Sequence, residues 1–312
     1  MRLEAEKGLL PFFLNQLINE LTNQPQPERS MNDKFYLLTA LAAAIDAGHA
    51  ILDVYRSSDF KVEKKADKSP LTLADKRSHE TIVERLEKTD IPVLSEEGKD
   101  IPYEKRKRWQ TYWLIDPLDG TKEFIKKNGE FTVNIAIIRD RKPAAGVIYA
   151  PDKNRLYFAL NDLGSFKADS IDGIESINRQ AAGSTAGSAA EAIESIIDAS
   201  TTLPASYSTK RPFTIIGSRS HASPELEEVV EEKRQEHGEV EFISAGSSLK
   251  LCLVAEGKAD IYPRTGPTME WDTAAGQAIA ENAGCQVLHY DTNEPLIYNK
   301  ENLLNPWFMV LR

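Results

Sequence analysis

Two carboxylates, Asp116 and Asp119, stand three residues apart in Asp116-Pro-Leu-Asp-Gly-Thr121, at the end of the apolar run Tyr112-Trp-Leu-Ile115. Pro117 fixes the backbone at a turn, so both side chains and the carbonyl of Leu118 between them can converge on one point. Hard oxygen donors clustered in this way suit Mg2+, which binds carboxylate, water and substrate phosphate. Gly120 and Thr121 then open a helix whose first amides are free to face an anion, so a cation and a phosphate fit side by side. The competing reading is structural: Asp-Pro starts turns, and Asp119 suits the cap of the helix that follows.

Other acids invite the same two readings. Ser95-Glu96-Glu97 ends a second strand-like run, where a parallel or antiparallel neighbour would carry Glu96 to Asp116; a solvated acidic pair is the alternative. In Trp271-Asp-Thr-Ala-Ala-Gly276, Asp272 sits at a helix start as ligand or cap, and Ala274, Ala275 and Gly276 are small enough for close approach. Asp75, in Thr72-Leu-Ala-Asp75, has the spacing of a capping box, although Asp is a weaker partner there than Glu or Gln; capping and catalysis compete evenly.

The elements that must position these groups follow from periodicity. Leu37, Leu38, Leu41, Ile45, Ile51, Leu52 and Tyr55 recur at three- and four-residue steps, which predicts a long amphipathic helix over 34–55. A second helix opens at Thr72 and runs to about Leu86. Val- and Ile-rich runs at 131–138, 144–151 and 155–160, separated by turn residues, predict an antiparallel meander flanked by these helices. Residues 170–210 are rich in Ser, Ala, Gly and Thr and read as a flexible insertion. Beyond them strand and helix patterns alternate. The division is thus an N-terminal extension at 1–30, an α+β metal-binding subdomain at 31–169, the insertion, and an α/β substrate-binding subdomain at 211–312. The extension carries an amphipathic stretch from Leu9 to Ile18 without the basic start of a secretory signal, and Met31 is an alternative start.

Composition narrows the partners. With 38 Lys and Arg against 48 Asp and Glu, the net charge of −10 repels polyanions, so nucleic acid is excluded as a general partner. A phosphorylated substrate therefore needs a local positive site, which bound metal supplies. Cys252 and Cys285 lack metal-site spacing and read as free thiols of a reducing cytosol. The longest apolar stretch is interrupted at Asp46, short of the roughly 18–20 residues of a membrane span, so the protein is expected in the cytoplasm. A peripheral place at the inner face of the membrane stays open, as does the oligomeric state.

Taken together, Val93-Leu-Ser-Glu-Glu97, Asp116-Pro-Leu-Asp-Gly-Thr121 and Trp271-Asp-Thr-Ala-Ala-Gly276, in this order, resemble the signatures of the inositol monophosphatase superfamily over nearly all of 31–312. The extended run from Asp116 to Ala136, with Gly246-Ser-Ser-Leu-Lys250 and Tyr262-Pro-Arg264, is similar to its 3'(2'),5'-bisphosphate nucleotidase branch. The resemblance implies a layered αβαβα sandwich of the sugar phosphatase type, two or three Mg2+ ions, lithium sensitivity and a role in sulfur assimilation. It implies hydrolysis of 3'-phosphoadenosine 5'-phosphate to AMP by a metal-activated water attacking in line, with no phosphoenzyme.

Carried across motif by motif, it makes Glu96, Asp116, Asp119, Asp272 and the Leu118 carbonyl metal ligands, with Asp116 shared by two ions. Asp75 holds a further ion or its water, and Thr121 positions the attacking water; Glu97 is a supporting residue. Asp119, Gly120, Thr121 and Asp272 also border the substrate. Arg219, Ser220, His221, Ser247, Lys250 and Arg264 become candidates for the nucleotide, with Lys250 and Arg264 facing the 5'-phosphate. Each has a plainer alternative, since a lone Lys or Arg is usually solvated and His221 suits a cap near Ser223. The insertion is longer than compact relatives need and leaves the alignment from Leu160 to Arg211 open.

Three other readings compete. In haloacid-dehalogenase phosphatases the nucleophile lies two residues before the second Asp, and Pro117 occupies that place here. An inositol or fructose phosphate monoesterase shares the same acids. A non-catalytic metal and nucleotide sensor would not need Glu96 and Thr121 beside the ligands.

Overall fold

A strand whose residues are apolar without alternation must be covered on both faces, and the run from Tyr112 to Ile115 is of that kind. The computed structural model describes residues 27–57, 63–64, 70–98, 100–181, 186–204, 211–218 and 224–312. The extension at 1–26 lies outside the described residues, as do Arg219, Ser220 and His221.

In chain order the elements are α1 (Pro27–Arg56), β1 (Glu63–Lys64), β2 (Pro70–Leu71), α2 (Leu73–Leu86), β3 (Val93–Ser95), α3 (Tyr103–Arg106), β4 (Thr111–Asp119) and α4 (Thr121–Ile125). Then come β5 (Thr132–Arg139), β6 (Lys142–Ala150), β7 (Arg155–Leu160), β8 (Gly164–Ala168), α5 (Asp172–Ala181), α6 (Ala186–Asp198) and β9 (Thr201–Thr202). The second half holds β10 (Phe213–Gly217), α7 (Pro224–His237), β11 (Val240–Ser244), α8 (Leu249–Ala255), β12 (Ile261–Arg264), α9 (Glu270–Asn282), β13 (Gln286–His289) and β14 (Phe308–Leu311).

Strands β3 to β9 form one sheet in sequence order, parallel between β3 and β4 and antiparallel thereafter. A second sheet has the order β11-β10-β12-β14-β13, with β10 parallel to β11 and β12. Trp113 and Ile115 of β4, with Val133, Ile135 and Ile137 of β5, face a core closed by α1, α2, α5 and α6. Tyr112, Leu114, Ala136 and Ile138 point the other way, into a core shared with α8, α9 and the second sheet. Helix α7 covers the far side of that sheet, setting its Val229 over Ile215 and Ile261. The layers are therefore αβαβα, the sandwich that the motifs implied.

Helix α1 is long and apolar enough over Asn32–Arg56 to cross a membrane by composition, but 61% of that apolar window is buried inside the protein. Leu37, Leu41, Ala44 and Ile51 are core residues, and Asp46 pairs with Arg85 of α2, so α1 is an internal helix.

Two features differ from the sequence expectation. Within 170–210, read as a flexible insertion, α5 and α6 are helices whose Ile174, Ala189, Ile193 and Ile196 are buried in the core beside α1. The richness in Ala, Ser and Gly there gives helices with narrow apolar stripes rather than a loop. Strand β14, which no motif marked, lies inside the second sheet between β12 and the edge strand β13.

Close packing sets the place of α9. A side chain at Gly146 of β6 would lie 2.4 Å from the Ala275 carbonyl oxygen, and one at Gly276 would lie 2.8 Å from Leu251. The missing Cβ atoms let α9 lie against the large sheet and α8 at once, which carries its first turn to the end of β4.

Candidate active site

In a regular strand, residues three apart point to opposite faces, so Asp116 and Asp119 meet only if the pleat is broken. It is broken by a bulge: Asp116 pairs with Asn134 and Asp119 with Thr132, leaving one more residue between them on β4 than on β5. Pro117, with no amide proton to give to a ladder, lies within the bulge, and the Ser78 hydroxyl of α2 holds its carbonyl at 2.6 Å. β3 lies parallel to β4 with Ser95 beside Ile115, and the Glu96 amide continues the ladder to the Ile115 carbonyl at 3.2 Å. Glu96 thus stands next to Asp116. The first turn of α9 delivers Asp272, and oxygens of Asp116, Asp119 and Asp272 lie within 4.8 Å of one another.

The choice between cap and ligand dissolves in the geometry, because a carboxylate has two oxygens. Asp272 takes the Met269 amide on Oδ2 (2.8 Å), capping α9. Asp75 takes the Thr72 amide on Oδ2 (2.7 Å), completing a capping box. Asp119 receives the Ser248 hydroxyl on Oδ2 (2.6 Å), and Asp116 the Leu118 amide on Oδ1 (3.0 Å). Each fold-making bond uses one oxygen and orients the other. Thr121 joins the group from α4: its hydroxyl lies 3.3 Å from Asp75 Oδ1 and 3.4 Å from the Leu118 carbonyl. Gly120 has φ +90°, and a side chain there would crowd the Glu130 carbonyl and Ser247, so only glycine makes this turn without strain.

Several carboxylates taken out of water together repel. Burial first, then Glu96, Asp119 and Asp272, hold the Asp116 carboxyl well above the usual carboxylate range. Burial and then Asp119 push Asp272 up to about 8. The Asp116 and Glu96 side chains hydrogen-bond to each other, which two carboxylates do only by holding a proton between them. A divalent cation removes the repulsion and takes the place of that proton, and an all-oxygen donor set suits a hard ion. The residues present therefore fit a metal.

A cavity of about 650 Å³ opens beside the acids. Asp119, Gly120, Thr121 and Asp272 line it together with Ser247, Lys250 and Arg264. Lys250 is buried, its Nζ 2.5 Å from the Ser247 carbonyl, and burial pulls its ammonium down to about 8 while Asp119 holds it up. Ser247 Oγ and Arg264 Nε are buried with no hydrogen-bond partner, two orphaned polar groups in this wall. Cations and acids thus share one chamber, an arrangement for a substrate carrying more than one anionic group.

Residues 33–307 match the inositol monophosphatase family. The chain belongs to that family. The 3'(2'),5'-bisphosphate nucleotidase CysQ of Shigella flexneri is 46% identical over 272 residues, covering 86% of this chain and 96% of that protein. The crystal structure of CysQ from Bacteroides thetaiotaomicron superposes with a TM-score of 0.77 at 48% identity, over 89% of this chain and 97% of that one. The suppressor protein suhB of Bartonella henselae shares the fold, with a TM-score of 0.62 at 22% identity over 88% of this chain and 92% of that one.

In this inositol monophosphatase family member, four residues at the site carried no sequence signal of their own. Ser78 anchors the bulge, and His79 Nδ1 lies 2.9 Å from Ser95 Oγ at the end of β3. Asn134 and Ser248 reach Asp119. Ser, His and Asn are common polar residues, and only the register of β4 on β5 and the α9 contact reveal their targets.

Proposed function

We propose that the chain is a magnesium-dependent 3'(2'),5'-bisphosphate nucleotidase that hydrolyses the 3'-phosphate of 3'-phosphoadenosine 5'-phosphate to AMP and inorganic phosphate in the cytoplasm. The observation that carries this reading is the meeting, in one cavity, of the acidic cluster with the buried Lys250 and the half-buried Arg264. The cavity size suits a nucleotide-sized ligand. A bisphosphate needs fixed cations for the phosphate that does not react, and a monophosphate does not. The identity to the CysQ nucleotidase of Shigella flexneri supports the same substrate class.

Glu96, Asp116, Asp119, Asp272 and the Leu118 carbonyl would hold two magnesium ions, and Asp75 a third. When bound, magnesium neutralises the phosphate and activates a water for in-line displacement. Thr121, whose hydroxyl donates to Asp75, would orient that water, and Asp75 would take up its proton through the Thr121 hydroxyl. The water oxygen bonds to phosphorus as the bond from phosphorus to the 3'-oxygen breaks; the 3'-oxygen leaves with the electron pair and takes a proton from solvent to become the 3'-hydroxyl of AMP, and Asp75 returns its proton to solvent. Gly120 and Thr121 present backbone amides to the phosphate undergoing attack, while Lys250 and Arg264 take the 5'-phosphate, with Ser247 beside them.

Phosphate release across adenosine 3',5'-bisphosphate, its 5'-phosphosulfate analogue, inositol 1-phosphate and fructose 1,6-bisphosphate tests the substrate. The highest kcat/KM is expected for one of the adenosine compounds, and preference for an inositol or fructose phosphate would refute it. Lys250→Ala is expected to raise KM for the adenosine bisphosphate by roughly 10- to 100-fold, the cost of a lost charge-assisted contact. Adenosine 3'-monophosphate, lacking the 5'-phosphate, should be much less affected; equal losses on both would show that Lys250 does not read the second phosphate.

A further inference from the structure

We infer that Ser248 is a positioning residue for the acidic cluster, acting through Asp119, and that Asn134 fixes the direction of its hydroxyl. The inference rests on the reading that Asp119 and Asp272 hold a divalent ion.

Ser248 occupies the N-cap position of α8, where a serine ordinarily accepts an amide of its own helix, yet it makes no side-chain cap bond. It is buried at 2% exposure, and its Oγ lies 2.6 Å from Asp119 Oδ2, 2.8 Å from the Asp272 carbonyl oxygen and 2.8 Å from Asn134 Nδ2. A hydroxyl has one proton and two acceptor sites. The Asn134 amide donates to it, so the single proton goes either to Asp119 or to the Asp272 carbonyl. The bond to a carboxylate is charge-assisted and the shorter of the two, so Asp119 takes it.

Asn134 is itself oriented. The Thr132 hydroxyl lies 3.0 Å from Asn134 Oδ1, which turns the amide nitrogen toward Ser248 and toward Asp119 Oδ2 at 3.4 Å. Thr132 and Asn134 face Asp119 and Asp116 across the bulge, so the same register that gathers the acids places this relay beneath them. Thr132, Asn134 and Ser248 pass hydrogen bonds in one direction and end on a single oxygen of Asp119. That oxygen is thereby taken up by the protein. Asp119 then presents Oδ1 to the cluster, held in place by the Ser248 hydroxyl at the start of α8. Without the hydroxyl, Asp119 would be free to swing away from Asp116 and Asp272, whose charges repel it.

The test compares wild type, Ser248→Ala, Ser248→Thr and Asn134→Leu as full chains, by two readouts. Thermal unfolding titrated with Mg2+ or Mn2+ requires no substrate, and turnover titrated with Mg2+ reads the same ion through activity. Loss of an outer partner of a metal ligand typically weakens metal binding or activity by about 10- to 100-fold. Ser248→Ala should therefore raise the half-saturating metal concentration by about that factor in both titrations. At saturating metal its KM should be little changed, and Ser248→Thr should restore the wild-type midpoint. Asn134→Leu should move the midpoint in the same direction.

A wild-type midpoint in Ser248→Ala would overturn the inference. So would a lower melting temperature without metal, accompanied by no change in the metal midpoint, because that is what a purely structural serine does. If Ser248→Ala fails to fold, Asn134→Leu decides: an unchanged midpoint refutes the relay. The thermal readout separates this inference from the proposed activity, since a wild type that binds metal but cleaves no nucleotide bisphosphate would count against the substrate alone.

Discussion

Replacing Asp119 with asparagine is expected to lower kcat by about 10³-fold, equivalent to roughly 4 kcal/mol of lost transition-state stabilisation. The substitution is isosteric and keeps an oxygen for the Ser248 hydroxyl, so the fold should survive. What disappears is one of three carboxylates whose oxygens gather within 4.8 Å. The same change should make the metal-free protein more stable, because it removes one of the charges that hold the Asp116 and Asp272 carboxyls protonated. Turnover and calorimetric unfolding in chelator would together check this. An Asp119→Asn enzyme with near-wild-type kcat would remove the cluster from the mechanism.

The second large effect is on stability as a function of pH. Burial and then Asp119 push Asp272 in the folded state up to about 8 from its ordinary 3.8, so between these values the folded state holds a proton that the unfolded state has lost. Its contribution is fully present below the unfolded value and is lost as pH rises through the folded one. Asp116, also raised, acts in the same direction. Asp169 and Glu256 are lowered, and His79 is pulled below 6.5, so their contributions change at lower pH, while Lys250, pulled down to about 8, opposes the two aspartates only as pH nears that value. The metal-free protein should therefore lose melting temperature between about pH 6.5 and pH 8, and Asp272→Asn should flatten that slope. Magnesium competes with the proton for the same oxygens, so the gain in melting temperature on adding it should be larger at pH 8 than at pH 6.5. A metal-free stability that is flat or rises over this range, with the same slope in Asp272→Asn, would contradict the buried acidic cluster.

Much of this architecture was legible in the sequence, for reasons that differ from element to element. The unbroken apolar run before Asp116 marked a strand buried on both sides, and β4 is one. The small residues after Asp272 marked a helix that approaches closely, and α9 does so against Gly146 and Leu251. Cap and ligand readings of Asp75 and Asp272 were set against each other, but both capping bonds exist and each engages Oδ2. What the sequence hid depends on register. The spacing of Asp116 and Asp119 does not reveal that a bulge in β4, opposite β5, must join their faces. Nor does a serine beside a helix start reveal that its hydroxyl bypasses the helix for a carboxylate. The Ala- and Ser-rich stretch of α6 reads as a flexible insertion because its buried face is made of only a few residues, such as Ala189 and Ile193.

The most direct test is anomalous diffraction from crystals grown with Mn2+ and AMP. Strong peaks should lie among Asp116, Asp119 and Asp272, with carboxylate oxygens at about the 2.0–2.2 Å of a hard divalent ion, and Glu96 should turn to the ion and give up its bond to Asp116. An enzyme whose turnover requires the metal, yet whose crystals show no peak within reach of these three carboxylates, would contradict the account.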